Sequence, residues 1–281
     1  MRKKKKIVGF IKSAILTIPC VKNLIRTRRR KKFATSYYST KYNLIRGWYK
    51  KKTESDNFYY ELDERNQSHL SALIHLITKT PVEQVEGFFH ELTENLELRT
   101  HVVNSWKDDP GMKDANLGYG RRIGWYALIR ILRPKIVIET GVHQGLGSCV
   151  ITTALIKNIE DGFPGKYYGT DIDNNAGKLF VEPYTNVGQI LYGDSIDSLN
   201  LFDEKIDLFI NDSDHSEIYE EMEYEAIKHK LSMNAWIIGD NSHVTDSLFN
   251  FSKSNGRNFV FFNEVPKDHW YPGAGIGISF K

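Results

Sequence analysis

Residues 136–148 read IVIETGVHQGLGS, and this stretch decides the fold class of the chain. An apolar run ends in a carboxylate, Glu139, and three glycines follow with the spacing G-x-x-x-G-x-G. The next residues, CVITTALI, can continue as a helix. A strand, a tight loop and a helix in this order bring the backbone close to a bound ligand, because glycine has no Cβ. The spacing differs from the G-x-G-x-x-G of dinucleotide-binding folds.

Apolar runs alternate with helical stretches from Ile123 to the end of the chain, which predicts an α/β fold. We expect a Rossmann-like, seven-stranded, mostly parallel sheet with helices on both faces. Only a loop, residues 263–274, separates the last two runs, so the last strand is expected to be antiparallel. The seven predicted strands are Lys135–Ile138, Tyr167–Thr170, Gln189–Tyr192, Ile206–Ile210, Ala235–Ile238, Phe259–Phe262 and Gly275–Phe280.

The chain divides into three predicted segments. Residues 1–52 form a basic N-terminal extension, and residues 53–116 form a helical region that covers or precedes the core. Residues 117–281 form the catalytic domain. The helical region is predicted from apolar residues at helical spacing, such as Leu70 and Ile74, and from Pro81 as a helix start.

Charge is distributed very unevenly along the chain. Residues 1–52 hold 18 Lys and Arg and no acid, whereas the remainder holds 20 Lys and Arg against 35 acids. Apolar residues between Ile7 and Ile18 fall at helical spacing, so a basic amphipathic helix on an anionic membrane surface is one interpretation. A disordered or partner-packed tail is the second, and a nucleic-acid-binding tail is the third. The excess of acidic residues in the rest of the chain does not favour binding to nucleic acid.

The two cysteines, Cys20 and Cys149, have neither disulfide nor metal-ligand spacing. They are expected to be free thiols in a reducing compartment. No signal-peptide cleavage site follows the basic start, and Lys12 interrupts the apolar run. We therefore predict a cytoplasmic protein, with peripheral contact to the inner face of the membrane if the tail binds there.

Polar residues recur where the first five predicted strands end, and parallel strands bring these ends to one edge of the sheet. Acids at helix starts are often caps, but five successive strand ends favour a binding site. The residues at these ends are Glu139, Asp171 with Asp173, Asp194 with Ser195, Asp212 with His215, and Asp240 with Asn241.

With the glycine loop, these acids resemble class I S-adenosylmethionine-dependent methyltransferases over residues 117–281. The resemblance implies that Asp171, or less favourably Asp173, binds both ribose hydroxyls of the cofactor, and that Asp194 with Ser195 meets the adenine. Glu139 and the loop would face the methionine portion. The implied cofactor-binding residues are Glu139, Gly141, Gly145, Gly147, Ser148, Asp171, Asp194 and Ser195.

The end of the fourth strand, 207-DLFINDSDHS-216, narrows the resemblance to small-molecule O-methyltransferases of the macrocin and catechol type, with their D-x-D-H signature. In that group Mg²⁺ is often bound after the fourth and fifth strands, which implies Asp212, Asp240 and Asn241 as ligands. Alternatively, Asp240 and Asn241 only cap a helix. The resemblance implies His215 with Asp212 as the catalytic residues, and His243 is the other candidate base.

We therefore predict an S-adenosylmethionine-dependent methyltransferase that acts on a hydroxyl of a small molecule or saccharide, with Mg²⁺ as an assisting ion. Residues 117–122 and 267–273 are candidates to face the acceptor. Two alternatives are open: an NAD-dependent oxidoreductase on a similar sheet, and a non-catalytic membrane or nucleic-acid adaptor that uses the basic tail. The glycine spacing disfavours the first.

Overall fold

The computed structural model describes residues 19–50, 59–107 and 116–281. The chain divides into two compact units, Met1–Lys51 and Lys52–Lys281. The amphipathic segment predicted between Ile7 and Ile18 lies outside the described residues. Within the described part of the chain, no helix is both long and apolar enough to cross a membrane.

The described residues of the first unit include the long helix α1 (Pro19–Trp48). This helix carries nine Lys and Arg and no acid. Several aromatic side chains on it are exposed, including Phe33, Tyr37 and Tyr38.

The second unit begins with three short helices, α2 (Glu64–Thr78), α3 (Val82–Thr93) and α4 (Leu96–Ser105). Side-chain caps start two of them. Asp63 accepts the backbone N–H of Arg65 at the start of α2, and Asn95 accepts that of Leu98 at the start of α4. Pro81 immediately precedes α3, as the sequence predicts. The apolar sides of these helices join the main core of the unit.

A seven-stranded sheet forms the centre of the second unit, with the order β3-β2-β1-β4-β5-β7-β6. β1 to β5 are parallel, whereas β7 is antiparallel to both β5 and β6. The strands are β1 (Ile136–Thr140), β2 (Lys166–Asp171), β3 (Gly188–Tyr192), β4 (Ile206–Asn211), β5 (Leu231–Gly239), β6 (Asn258–Asn263) and β7 (Gly275–Phe280).

Helices cover both faces of this sheet. The connecting helices are α5 (Arg122–Leu132), α6 (Leu146–Glu160), α7 (Ser195–Leu201), α8 (Glu217–Ile227) and α9 (Ser247–Ser254). Side chains alternate along β1: Val137 packs into the core with α5 and α6, while Ile136 and Ile138 pack into the core with α7, α8 and α9. Because both faces are covered, the parallel strands read as continuous apolar runs. The predicted Rossmann-like fold with an antiparallel last strand is confirmed.

Candidate active site

A cavity of about 750 Å³ lies at the carboxyl ends of the parallel strands. Most of the predicted site residues line it. These are Glu139, Gly141, Gly147, Asp171, Asp194, Ser195, Asp212, His215 and Asn241. Gly145, Ser148 and Asp240 lie outside the lining, and the last two are fully buried.

The glycine loop allows neighbouring parts of the chain to pack closely against its backbone. Gly141 has φ +83°, and a Cβ there would overlap the backbone carbonyl of Asp212. A Cβ at Gly147 would overlap the carboxylate of Glu139. Any side chain at these two positions would push apart β1, the loop after β4 and the start of α6. The glycines therefore let three elements meet beneath the cavity.

Glu139 is the penultimate residue of β1 and is almost completely buried. Its Oε2 accepts the hydroxyl of Ser148 at 2.7 Å and also that of Tyr167. Burial raises the pKa of Glu139 to about 7, although these two hydrogen bonds act in the opposite direction. The hydrogen bond from Ser148, at the start of α6, thus positions the Glu139 carboxylate. Tyr167 is a partner that the sequence did not indicate, because it sits within an apolar strand pattern.

Asp171 is fixed at the end of β2 by two backbone groups. Its Oδ2 accepts the N–H of His143 in the glycine loop at 2.7 Å, and its Oδ1 accepts the N–H of Asp173 at 2.8 Å. A carboxylate oxygen has two acceptor positions, so each oxygen can accept one more hydrogen bond. Asp173 itself is exposed and accepts the backbone N–H of Asn175.

Asp194 and Ser195 begin α7 and are joined by Tyr219. Asp194 caps the helix, since its Oδ1 accepts the N–H of Ile196 at 2.8 Å, and its Oδ2 accepts the Tyr219 hydroxyl at 3.3 Å. The Ser195 hydroxyl lies 2.9 Å from the Tyr219 hydroxyl and donates to Glu223. Asp194 therefore has both a capping contact and a place on the cavity wall.

A buried ion pair lies at the end of the cavity next to β4 and β5. Arg121 donates from Nε and Nη2 to the two carboxylate oxygens of Asp240. Its Nη1 donates to the Tyr60 hydroxyl at 2.9 Å, and its backbone N–H donates to Glu264 at 2.8 Å. Only 8% of the Arg121 side chain is exposed, and none of the Asp240 side chain.

Two neighbouring carboxyls at this end have opposite protonation tendencies. Burial and the negative charge of Asp240 raise the pKa of Asp212 well above its usual range. Burial also opposes ionisation of Asp240, but the guanidinium of Arg121 outweighs it and lowers the Asp240 pKa. Asp240 is therefore the member of the pair that ionises more readily.

His215 lines the cavity between three polar side chains. Its Nε2 lies 2.9 Å from the Asn241 amide nitrogen and 3.8 Å from Asp212 Oδ1. Its Nδ1 lies 3.5 Å from Oε1 of Glu220, which is itself buried and accepts the hydroxyl of Thr245. Because an amide nitrogen only donates, Nε2 is the accepting nitrogen in this arrangement, and the proton of neutral His215 belongs on Nδ1.

His243, the other candidate base, is exposed and does not line the cavity. Its pKa is lowered, chiefly by partial burial and further by Arg121. Of the two segments expected to face the acceptor, Arg121, Arg122 and Tyr271 contribute to the cavity wall, and Tyr59 joins them from the helical region.

The distances between candidate ligand atoms around Asp212 suit a metal ion, but the positive charge of Arg121 beside Asp240 does not. One ligand atom each from Asp212, His215 and Asp240 lies within 4.8 Å of the others. However, both oxygens of Asp240 already accept hydrogen bonds from the cationic Arg121. A divalent ion on Asp240 would have to share that carboxylate with a guanidinium. The residues present do not fit the ion in this arrangement.

A solved structure with a similar fold is the O-methyltransferase TomG of Streptomyces achromogenes, which takes part in tomaymycin synthesis and was determined in complex with S-adenosylmethionine. The identity is 11%, with 68% of this chain and 93% of TomG covered and a TM-score of 0.50. A methyltransferase from Geobacter sulfurreducens has 14% identity, coverage of 68% and 95%, and a TM-score of 0.48. No curated protein is significantly similar to the chain in sequence.

The fold is thus that of the class I methyltransferases. Residues 138–242 match the model of a family described as a methyltransferase domain. This range begins in β1 and ends just after β5, so it includes every strand end that contributes to the cavity. The chain carries a methyltransferase domain, and the prediction of an S-adenosylmethionine-dependent methyltransferase is confirmed.

Proposed function

We propose that this chain transfers the methyl group of S-adenosylmethionine to a hydroxyl oxygen of a small molecule or saccharide. The observation that carries the proposal is that one cavity is lined both by the glycine loop with Asp171 and by His215 with Asp212. A cofactor site and a general base therefore share one space. TomG, the similar structure, is an O-methyltransferase with S-adenosylmethionine bound.

The cofactor is proposed to lie along β1, β2 and β3. Glu139 would accept hydrogen bonds from the amino group in the methionine portion of the cofactor, beside the loop formed by Gly141, Gly145 and Gly147. Both oxygens of Asp171 retain an acceptor position, which suits a vicinal pair of ribose hydroxyls. Asp194 and Ser195 would contact the adenine, and Ser148 would act by positioning Glu139.

His215 is proposed to take the proton of the acceptor hydroxyl on Nε2, where that hydroxyl would replace the Asn241 amide as the hydrogen-bond donor. The oxygen then forms a bond to the methyl carbon, while the carbon–sulfur bond breaks and its electron pair stays on sulfur. The sulfonium becomes a neutral thioether, and the proton leaves with imidazolium. Glu220 faces Nδ1 and stabilises the charged ring. The remaining catalytic effect is the alignment of the three reacting atoms.

The predicted Mg²⁺ ion at Asp212, Asp240 and Asn241 stays a prediction, and the proposed reaction contains no step that needs it. Tyr59 and Tyr271 line the cavity and offer aromatic faces, which suit a sugar ring or another flat apolar group.

Cofactor titration by calorimetry separates this proposal from an NAD-dependent oxidoreductase. We expect S-adenosylmethionine to bind with a stoichiometry of one and NAD to give no heat of binding. NAD binding without S-adenosylmethionine binding would overturn the proposal.

A second role, at a membrane surface, is favoured by α1. This helix combines nine Lys and Arg with exposed Tyr37, Tyr38 and Phe33, and aromatic residues prefer the interface between lipid and water. We expect the full chain to sediment with vesicles that contain phosphatidylserine and to remain free of neutral phosphatidylcholine vesicles. Binding to duplex DNA or RNA instead would assign the helix to nucleic acid.

A further inference from the structure

Arg121 stands where the metal site was expected. Its guanidinium approaches Asp240 from Nε and Nη2, so the two parallel hydrogen bonds use both carboxylate oxygens. This fork geometry is the strong form of an Arg–carboxylate pair. Asp240 is one of the two carboxylate ligands of the expected site, and its negative charge is already matched by Arg121.

Other buried groups hold Arg121 in this position. Its Nη1 donates to Tyr60 and lies 3.3 Å from Glu264 Oε2, and its backbone N–H donates to Glu264 Oε1. Tyr60 also donates to Glu264 at 2.8 Å. Tyr60, Arg121, Asp240 and Glu264 are all buried. Moving the guanidinium aside would leave carboxylates without their counter-charge in a region with little solvent, which is strongly unfavourable.

Asp212 lies beside Asp240 in the same cluster, and the Asn241 amide nitrogen lies against His215, so only Oδ1 of Asn241 could face a cation. A divalent cation between Asp212 and Asp240 would face the fixed positive charge of Arg121, with a second arginine, Arg122, on the same wall. Like charges at such short range repel most strongly in a buried environment.

We propose that Arg121 occupies the place of a divalent cation in this site, so that the protein binds none there and its methyl transfer is independent of metal. The inference deepens the proposed function and rests on it for the reaction. Arg121 acts as a positioning residue: it holds both carboxylate oxygens of Asp240 and supplies a fixed positive charge at the acceptor end of the cavity.

Electron paramagnetic resonance with Mn²⁺ tests the proposal without an acceptor substrate. Protein is titrated into millimolar Mn²⁺, and the loss of the free-ion signal measures binding. We expect the wild-type protein to leave the signal unchanged. Stoichiometric loss of the signal in the wild type, abolished by Asp240→Asn, would overturn the proposal.

In a second arm of the experiment, Arg121→Met removes the positive charge beside Asp240. This variant keeps most of the side-chain length and frees Asp240, so we expect it to bind one Mn²⁺. Arg130→Met is the matched control, because Arg130 is an equally buried arginine that pairs with Glu91 and Asp161 elsewhere. A folded Arg121→Met protein that binds no Mn²⁺ would contradict the replacement of a cation by Arg121.

Arg121→Lys keeps the proposal testable if Arg121→Met does not fold. Lysine retains the charge without the two-point contact, so we expect no Mn²⁺ binding, and binding would count against the proposal. Calorimetry with S-adenosylmethionine on the same wild-type sample separates the two hypotheses. Failure to bind the cofactor would refute the proposed function, whereas Mn²⁺ binding at Asp240 would refute only the role of Arg121.

Discussion

The carboxylate of Asp171 accepts the backbone N–H of His143 at 2.7 Å. Asp171 ends β2, and His143 lies in the glycine loop after β1. The contact therefore joins two neighbouring strand ends and fixes the carboxylate on the cavity wall. The other carboxylate oxygen of Asp171 accepts the backbone N–H of Asp173. A ligand that meets both oxygens of Asp171 encounters a group that is already immobilised.

Asp171→Ala is expected to weaken S-adenosylmethionine binding at least about 100-fold, because hydrogen bonds to a charged group contribute about 1.5–3 kcal/mol each. Calorimetry measures the affinity, and circular dichroism verifies the fold. Asp173, the less favoured ribose ligand, also lines the cavity, so Asp173→Ala is the comparison variant and should change the affinity little. Equal affinities in the wild type and Asp171→Ala would refute the ribose assignment.

His215→Ala is expected to lower kcat by about 10²- to 10⁴-fold, the usual contribution of a general base, while cofactor affinity stays unchanged. The matched control is His243→Ala, since His243 lies outside the cavity. Turnover is followed with an acceptor identified by screening. A large loss in His243→Ala, with His215→Ala fully active, would exchange the roles of the two histidines.

Gly147→Ala is expected to destabilise the protein by about 1–3 kcal/mol, because the new Cβ overlaps the Glu139 carboxylate. Gly87→Ala is the matched control. Gly87 also lies within a helix, but nothing stands within 4 Å of its missing Cβ, so the change should stabilise by roughly 0.5–1 kcal/mol. Urea denaturation measures the free energy of unfolding of both variants. Equal effects would show that the close approach of Gly147 to Glu139 does not contribute to stability.

Glu139 should make stability depend on pH in a defined direction. Its pKa rises from 4.5 to about 7 on folding, so the folded protein keeps a proton that the unfolded chain releases. The stability linked to this group is complete below about pH 4.5 and is lost as pH rises toward 7, by on the order of 3 kcal/mol.

Glu139→Gln tests this linkage, because the amide oxygen can still accept from Ser148 and Tyr167 while it does not titrate. The free energy of unfolding, measured in urea between pH 4 and 8, should fall more steeply with pH in the wild type than in the variant. Parallel curves would show that Glu139 is ionised at neutral pH in the folded protein.

The strands were predictable because both faces of a parallel sheet are buried and each strand reads as an apolar run. The one clear displacement is the start of β5, which lies at Leu231 and not at Ala235. Its first residues read LSMN, which is not the continuous apolar run of a strand buried on both faces, and Met233 and Asn234 are exposed.

The contacts within the site were harder to predict. Arg121 and Asp240 are 119 residues apart and meet only through the packing of α5 against the sheet. Tyr167 donates to Glu139 from within an apolar strand, and Glu223 accepts from Ser195 across two helices. Spacing along the chain indicates which side chains reach one edge of the sheet. It does not indicate which of them pair there, because pairing depends on tertiary distance.

The most direct measurement is methyl transfer itself. The protein is incubated with S-adenosylmethionine that carries a ¹³C-labelled methyl group and with a panel of polyhydroxylated small molecules and saccharides. We predict a labelled methyl ether in the NMR spectrum of one acceptor class, with one equivalent of S-adenosylhomocysteine. Label found on nitrogen or carbon, with no methyl ether formed, would contradict the account.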